Sequence, residues 1–499
     1  MSLYYRVFFC VHPIITHLMI RYMNKIALYG LCLIAFPVSG TLAGERPNII
    51  VIMADDMGWG DVGFNGNKVV HTPHLDALAS DGVIMERFYS AAPLSSPTRA
   101  SVLTGRHPFR TGVFSANEGI LRKREVTLPE LLREDGYATE LFGKWHLGTL
   151  TYKEKDANRG SVDHKHLYNP PSWHGFEESF VTESKVPTFD PMIQPTRNDG
   201  RFWDYIREGE ATRAYGTAYW DKEGMKVTED LAGDDSRIVM DRVLPFIEHS
   251  VQKEVPFFSV IGFHAPHLPC VAGPQEVSLY EDLDLEHRNY YGCITALDKQ
   301  IGRLVDYLKA RDIYENSVIL FCSDNGPELR TPGSSGNFRG KKRSLYEGGI
   351  RVPSFVCWPA RLAKGGKLGI PCSTVDYMPT LLDMANISHG GELALDGESF
   401  FPKLMKRETK RTKPLVFCSA HQGAVIDRDY KLYYTKGKYE LYHITKDPGE
   451  KNDISASCPE DVERLKKCLR ESVEDFRRSF EEGKVEEHVD WQDWWDIWK

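Results

Sequence analysis

Residues 48–61 read NIIVIMADDMGWGD, and the first half of that stretch decides the fold. Ile49–Met53 is an unbroken apolar run without polar alternation, which suits a strand covered on both faces. It stops at the acidic pair Asp55-Asp56. Three further stretches repeat the arrangement. In YATELFGKWHLG the run Ala138–Phe142 leads to Lys144 and His146. In PFFSVIGFHAPHLP the run Phe257–Phe263 leads to His264 and His267, and in SVILFCSDNGPE the run Val318–Cys322 leads to Asp324-Asn325. Helical segments separate these runs, so the reading is α/β, with a mostly parallel central sheet flanked by helices. Ligands of such sheets sit beyond the carboxyl ends of the strands. Each ending taken alone has a plain explanation, a turn, a cap or a structural histidine. Four together direct acids, an amide, a lysine and histidines into one crevice.

The chain has 499 residues, 41% hydrophobic and 26% charged, enough for two domains or one large domain with an appendage. The segment MNKIALYGLCLIAFPVSGTLAG from Met23 carries a lysine, an apolar run and small residues. It reads as a secretory signal cut near Ala43, with Met23 the natural start, so the mature chain is expected in the periplasm or outside the cell. Its apolar run, Ile26–Val38, is shorter than the roughly 20 residues a membrane span needs. Residues 1–43 contain Arg6, Arg21 and Lys25 and no acids, so removing them takes the net charge from −8 to −11. That balance excludes a global basic field for nucleic acid. None of the remaining cysteines forms a CxxC pair, which argues against a zinc ribbon, and Cys458 with Cys468 is the only sequence-local pair for a disulfide.

Asp55, Asp56, Asp324 and Asn325 offer only oxygen, which selects a hard cation such as Ca²⁺ or Mg²⁺ over zinc. Arg99, Lys144 and Lys342 (the last in FRGKKRSLYEGGIRVP) call for a substrate whose negative charge grows or moves. His146 and His267 are proton carriers near neutral pH. Together these groups describe attack on a sulfate or phosphate ester. The stretch AAPLSSPTRASVLTGR (91–106) reads as a helix start, with Ser96 as N-cap, Pro97 at the first helical position and Gly105 as the stop. Ser95 then stands one step before the cap, at the positive end of the helix.

Pro93-Leu94-Ser95-Ser96-Pro97-Thr98-Arg99 with Leu103-Thr104-Gly105-Arg106 resembles the signature of the type I, formylglycine-dependent sulfatases, and GYATELFGKWHLG resembles that family's second signature. ADDMGWGD, HAPHLP, CSDNGPE and YEGGIRVP match further blocks in order, so the resemblance runs from about Pro47 to about Pro448. It implies the alkaline-phosphatase-like fold and oxidation of Ser95 to formylglycine (3-oxoalanine), whose hydrate attacks sulfur and later expels sulfate. It implies one calcium ion held by Asp55, Asp56, Asp324, Asn325 and the modified Ser95. Arg99 and Lys144 would steady that side chain, His146 would help deprotonate the diol, and His267, as general acid, and Lys342 would flank the leaving oxygen. The family spacing to Tyr346 selects Lys342 over Lys341. Serine rather than cysteine at position 95 resembles the bacterial serine type, which implies a radical-type maturase as partner.

The expected domains are a catalytic domain over 44–390 and a smaller C-terminal α+β domain over 391–499. In the latter, GAVIDRDYKLYYTKGKYELYHITKDPGEKND reads as antiparallel strands and EDVERLKKCLRESVEDFRRSF as an amphipathic helix. Segment 151–190 reads as a long loop region that builds sugar subsites, with His164, His166, His174 and His421 as subsite candidates or surface histidines. The four tryptophans of HVDWQDWWDIWK read as anchors of the tail or as sugar-stacking groups. A sulfated carbohydrate is the expected substrate. A phosphatase using Ser95 directly, or an unconverted binder of sulfated glycans, are the alternatives.

Overall fold

The computed structural model describes residues 46–391, 394–482 and 495. The signal-peptide reading lies outside the described residues, as does the terminal tryptophan segment apart from Trp495. Ten strands form the main sheet: β1 (Asn48–Ala54), β2 (Val83–Met85), β3 (Ala138–Lys144), β4 (Glu178–Thr182), β5 (Tyr219–Asp221), β6 (Lys226–Val227), β7 (Phe257–Gly262), β8 (Ser317–Ser323), β9 (Ser354–Cys357) and β10 (Gly366–Leu368). Their spatial order is β6-β5-β4-β3-β7-β1-β8-β9-β2-β10. The block β4-β3-β7-β1-β8 is parallel throughout, with Val51 of β1 opposite Val260 on one side and Leu320 on the other. Antiparallel strands flank it on both sides.

Helices α1 (Ser95–Thr104), α2 (Asp235–Gln252), α3 (Leu285–Ala310) and α4 (Tyr377–Ala385) cover the sheet. Ile49, Val51 and Met53 share one apolar cluster with Val102 of α1 and Leu381 of α4. Ile50 and Ile52 share the other with Ile247 of α2 and Ile301 of α3. Both faces of β1 are therefore buried, which is why its sequence shows no alternation. After Gly390 a four-stranded antiparallel sheet follows, β11 (Leu415–Ser419), β12 (Gln422–Asp427), β13 (Tyr430–Thr435) and β14 (Lys438–His443), then the helix α5 (Pro459–Glu481). This part shares its core with earlier residues: Phe109 and Phe114 pack with Val425, Leu441 and Phe480. Trp495 is seated there too, its ring 5.5 Å from those of Phe114 and Phe480.

Three readings need correction. Ser96 is not the N-cap of α1: Leu94, extended at φ −151°, is, and Ser95 is the first helical residue. The Thr98 N–H reaches the Leu94 carbonyl, closing the first turn two residues earlier, and the Ser96 hydroxyl is buried with no partner. Segment 151–190 is not loop throughout, because β4 lies in it, paired with β3 from Glu140 to Lys144. His174 is neither a subsite group nor a surface histidine: it is fully buried, with Nε2 2.9 Å from Asn169 Oδ1. All eight cysteines of the described part are free, Cys458 and Cys468 included.

Candidate active site

The carboxyl ends of β3, β7, β1 and β8, four neighbours in the sheet, deliver the polar groups. At the end of β1 the chain turns through Asp56, whose φ of 64° lies in the left-handed region. A non-glycine residue held there costs about 1 kcal/mol, which the surrounding bonds must offset. Here Asn325 Nδ2 donates to Asp56 Oδ1 at 2.7 Å, and Lys342 Nζ donates to both Asp56 oxygens at 2.6 and 2.8 Å. Lys144 Nζ, at the end of β3, donates to Asp55 Oδ2 at 2.6 Å. Arg99, one turn into α1, donates Nε and Nη2 to Asp324 Oδ2 at 3.1 and 2.8 Å and Nη1 to the Lys144 carbonyl. Ser95 Oγ is 3.2 Å from Asp55 Oδ1 and 3.3 Å from Asn325 Oδ1. Of the adjacent lysines Lys342 enters the centre, whereas Lys341 bonds the Gly333 carbonyl.

Three carboxylates and three cations thus lie buried together, paired one to one. Burial alone would raise the pKa of Asp55, but Lys144, His267, Arg99 and Lys342 outweigh it and hold it well below the usual carboxylate range. Asp324 goes the other way: burial, reinforced by the Asp55 charge, pushes it up to about 6 despite Arg99 and Lys144. A carboxylate so placed favours additional positive charge. Asp55, Asp56 and His267 present ligand atoms within 4.8 Å of one another. With the oxygens of Asp324 and Asn325 alongside, the donor set fits a hard divalent cation.

The two histidines differ in their fixed nitrogen. His267 Nδ1 donates to the Leu268 carbonyl at 2.6 Å, which leaves Nε2 facing Asp56 Oδ2 at 3.6 Å. Burial pushes the His267 pKa down to about 4 against the pull of Asp55 and Asp56. His146 Nε2 lies 3.1 Å from Asn117 Oδ1, which also accepts from Asn158 Nδ2, itself bonded to Ser184. An amide oxygen only accepts, so His146 carries its proton on Nε2 and Nδ1 is a lone pair, buried with no partner. His264 stays outside the centre, held by Asp235 and Thr182.

These groups open into a cavity of about 670 Å³, lined by Ser95, His146, His267 and Lys342 together with Asn117, Asn158, Ser184, Lys185, Glu328, Arg330, Arg343, Ser419 and Gln422. Sequence reasoning missed the second set: most come from irregular segments where periodicity gives no signal, and Ser419 and Gln422 sit at strand ends facing each other across a tight turn. His164 and His421 are not among the lining residues. A second cavity, of about 660 Å³, lies by α5 and β11, lined by His107, Arg110 and Phe476 and by none of the groups above.

The profile described as Sulfatase matches residues 47–387. The chain belongs to the sulfatase family. A second profile, N-sulphoglucosamine sulphohydrolase, C-terminal, matches residues 333–479 of this sulfatase. It is 30% identical over 381 residues to the N-acetylgalactosamine-6-sulfatase of Canis lupus familiaris, covering 73% of this chain and 67% of that one. It is 29% identical to arylsulfatase G of Rattus norvegicus, covering 87% and 88%. Among solved structures it resembles Ps i-CgsB, described in complex with k-i-k-neocarrahexaose, at 27% identity and TM-score 0.73, over 88% of this chain and 94% of that one. The sulfatase is accordingly a sulfuric ester hydrolase, and its mixed sheet flanked by helices is that of its structural neighbours. Among its described residues no helix is long and apolar enough to cross a membrane.

Proposed function

We propose that this sulfatase is exported and hydrolyses sulfate monoesters of a sulfated carbohydrate (a glycosaminoglycan, mucin-type or algal glycan), using Ser95 converted to formylglycine by a radical-type maturase, and one calcium ion. The observation that carries the reading is the place of Ser95: first residue of α1, between Asp55 and Asn325, on the wall of the cavity. The sulfated-sugar names of its relatives support the substrate class.

When present, the cation supplies charge to the ester oxygens and the hydrated aldehyde supplies the nucleophile. Asp55, Asp56, Asp324 and Asn325 would hold the cation, with Lys144 fixing Asp55 and Arg99 fixing Asp324. His146 accepts a proton at Nδ1, because Asn117 keeps Nε2 protonated. His267, anchored through Nδ1, presents Nε2 to the leaving oxygen and acts as its general acid once that nitrogen is protonated, and Lys342 stands beside it across Asp56. The smaller C-terminal domain after Gly390 shapes the cleft through Ser419 and Gln422.

A panel of sulfated mono- and disaccharides tests the substrate class, and hydrolysis of none of them by modified protein would sink it. A calcium chelator is expected to lower turnover by about two orders of magnitude or more, with recovery on adding Ca²⁺. Full activity after exhaustive chelation removes the metal from the reading. Asn117→Ala is expected to lower kcat about tenfold to a hundredfold with little change in KM, since it frees the His146 ring to adopt the wrong tautomer. Loss confined to KM would assign Asn117 to substrate binding instead.

A further inference from the structure

The carboxylates of the centre are already matched, Asp55 by Lys144, Asp56 by Lys342 and Asp324 by Arg99. The cavity carries positive charge beyond that balance. Lys185 follows Ser184 just past the end of β4 and is half-buried in the cavity wall. Among the described residues it has no hydrogen-bond or ion-pair partner. Burial weighs most against its charge, and the charges around it are mostly alike: Lys144, Lys342 and Arg330 repel it, with Asp56 opposing them. On the same wall Arg330 and Arg343 share one carboxylate, that of Glu328, at 3.5 and 2.9 Å.

An ammonium kept partly out of water among like charges is unfavourable in the free protein. Such an arrangement becomes favourable when an anion arrives between the cations. A single sulfate ester brings one negative charge, and that charge belongs at Ser95 and Lys342, where the chemistry occurs. Lys185 and the surplus of the Arg330–Arg343–Glu328 group are left for something else.

We propose that Lys185, with Arg330 and Arg343 beside it, forms a second anion subsite, so that the preferred substrate is a sulfated carbohydrate bearing a further anionic group, a carboxylate or a second sulfate. This rests on the carbohydrate reading above and narrows it. Lys185 here recognises the substrate and takes no part in bond breaking.

The test compares kcat/KM on three probes: a monosulfated neutral sugar, a disulfated sugar, and a sulfated disaccharide containing a uronate. The parent is expected to prefer at least one doubly charged probe over the neutral one. In Lys185→Ala that preference ratio is expected to fall about tenfold to a hundredfold, the worth of one charge-assisted hydrogen bond, with the change in KM. Lys185→Arg keeps the charge and is expected to hold the ratio within about threefold of the parent. Whether the uronate or the disulfated probe loses its advantage identifies the second anion. A ratio unchanged in Lys185→Ala, or a parent with no preference, overturns the subsite while leaving the carbohydrate reading intact. A parent inactive on all three sugars but active on an aryl sulfate overturns both.

Discussion

Ser95→Ala is expected to lower turnover by at least about four orders of magnitude while the protein stays folded. The two halves of that expectation have separate grounds. The Ser95 hydroxyl makes only long contacts, 3.2 Å to Asp55 and 3.3 Å to Asn325, and a single proton serves one of them at a time. Asp55 is held by Lys144 at 2.6 Å, so the carboxylate keeps its partner when the hydroxyl goes. The stability change should therefore stay near 1 kcal/mol, a melting shift of a few degrees at most. Ser96→Ala is the matched control: its hydroxyl is buried without a partner, and its loss should leave activity within about twofold.

Mass spectrometry of the tryptic peptide Phe88–Arg99 separates chemistry at Ser95 from a plain serine mechanism. In protein from a host with a competent maturase, the peptide is expected to be lighter by two hydrogens, the change from serine to aldehyde. Protein made without the maturase should melt at the same temperature and be inactive. Full activity with an unshifted peptide would show that the serine itself is the nucleophile, and the phosphatase-like alternative would then return.

The parallel core was legible because burial on both faces leaves a direct mark: Ile49–Met53 and Val318–Cys322 are apolar at every position, and each becomes a central strand. The strand β4 left no such mark. Its residues are ESFVT, polar at the start, in a segment dense with helix breakers, and the pairing with β3 decides its state. The start of α1 shows how a local rule loses to context. Ser-Pro is a good cap signal, but the carbonyl of Leu94 takes the first helical bond and shifts the frame two residues. That shift puts Ser95 on the helix rather than ahead of it. The centre was readable where chemistry dictates residue type, as at Asp55 or Asn325. Asn117 and Lys185 were not, because an amide or a lysine in an irregular segment looks like any solvated residue until the chain is folded.

Beside the apolar core that the C-terminal sheet shares with the rest of the protein lies one buried cation, and its removal should be costly to stability. Lys431 of β13 is fully buried, with Nζ 3.0 Å from Glu347 and 2.9 Å from Glu450. Glu347 also accepts from the Tyr89 hydroxyl, and Glu450 accepts from the Glu347 N–H at 2.7 Å. Burial raises the Glu450 pKa to about 7, with Lys431 opposing the rise, while Lys431 and Arg351 hold Glu347 below its ordinary value against burial. Lys431→Met leaves two carboxylates buried on a single remaining cation, Arg351, and should cost about 3–5 kcal/mol. The cost should grow with pH. Without Lys431 both glutamates bind protons more tightly in the folded state than in the unfolded one, so stability falls as pH rises from the ordinary glutamate value, near 4.5, toward 7 and beyond. Urea denaturation at pH 5 and pH 8 would then show the smaller deficit at pH 5. Adding Glu450→Gln to Lys431→Met should recover part of the loss at pH 8 and less at pH 5, because it removes the charge that has lost its partner. A deficit below about 1 kcal/mol, or one equal at both pH values, would mean that water or a rearranged side chain replaces the lysine, and the buried pair would not be what ties the sheet down.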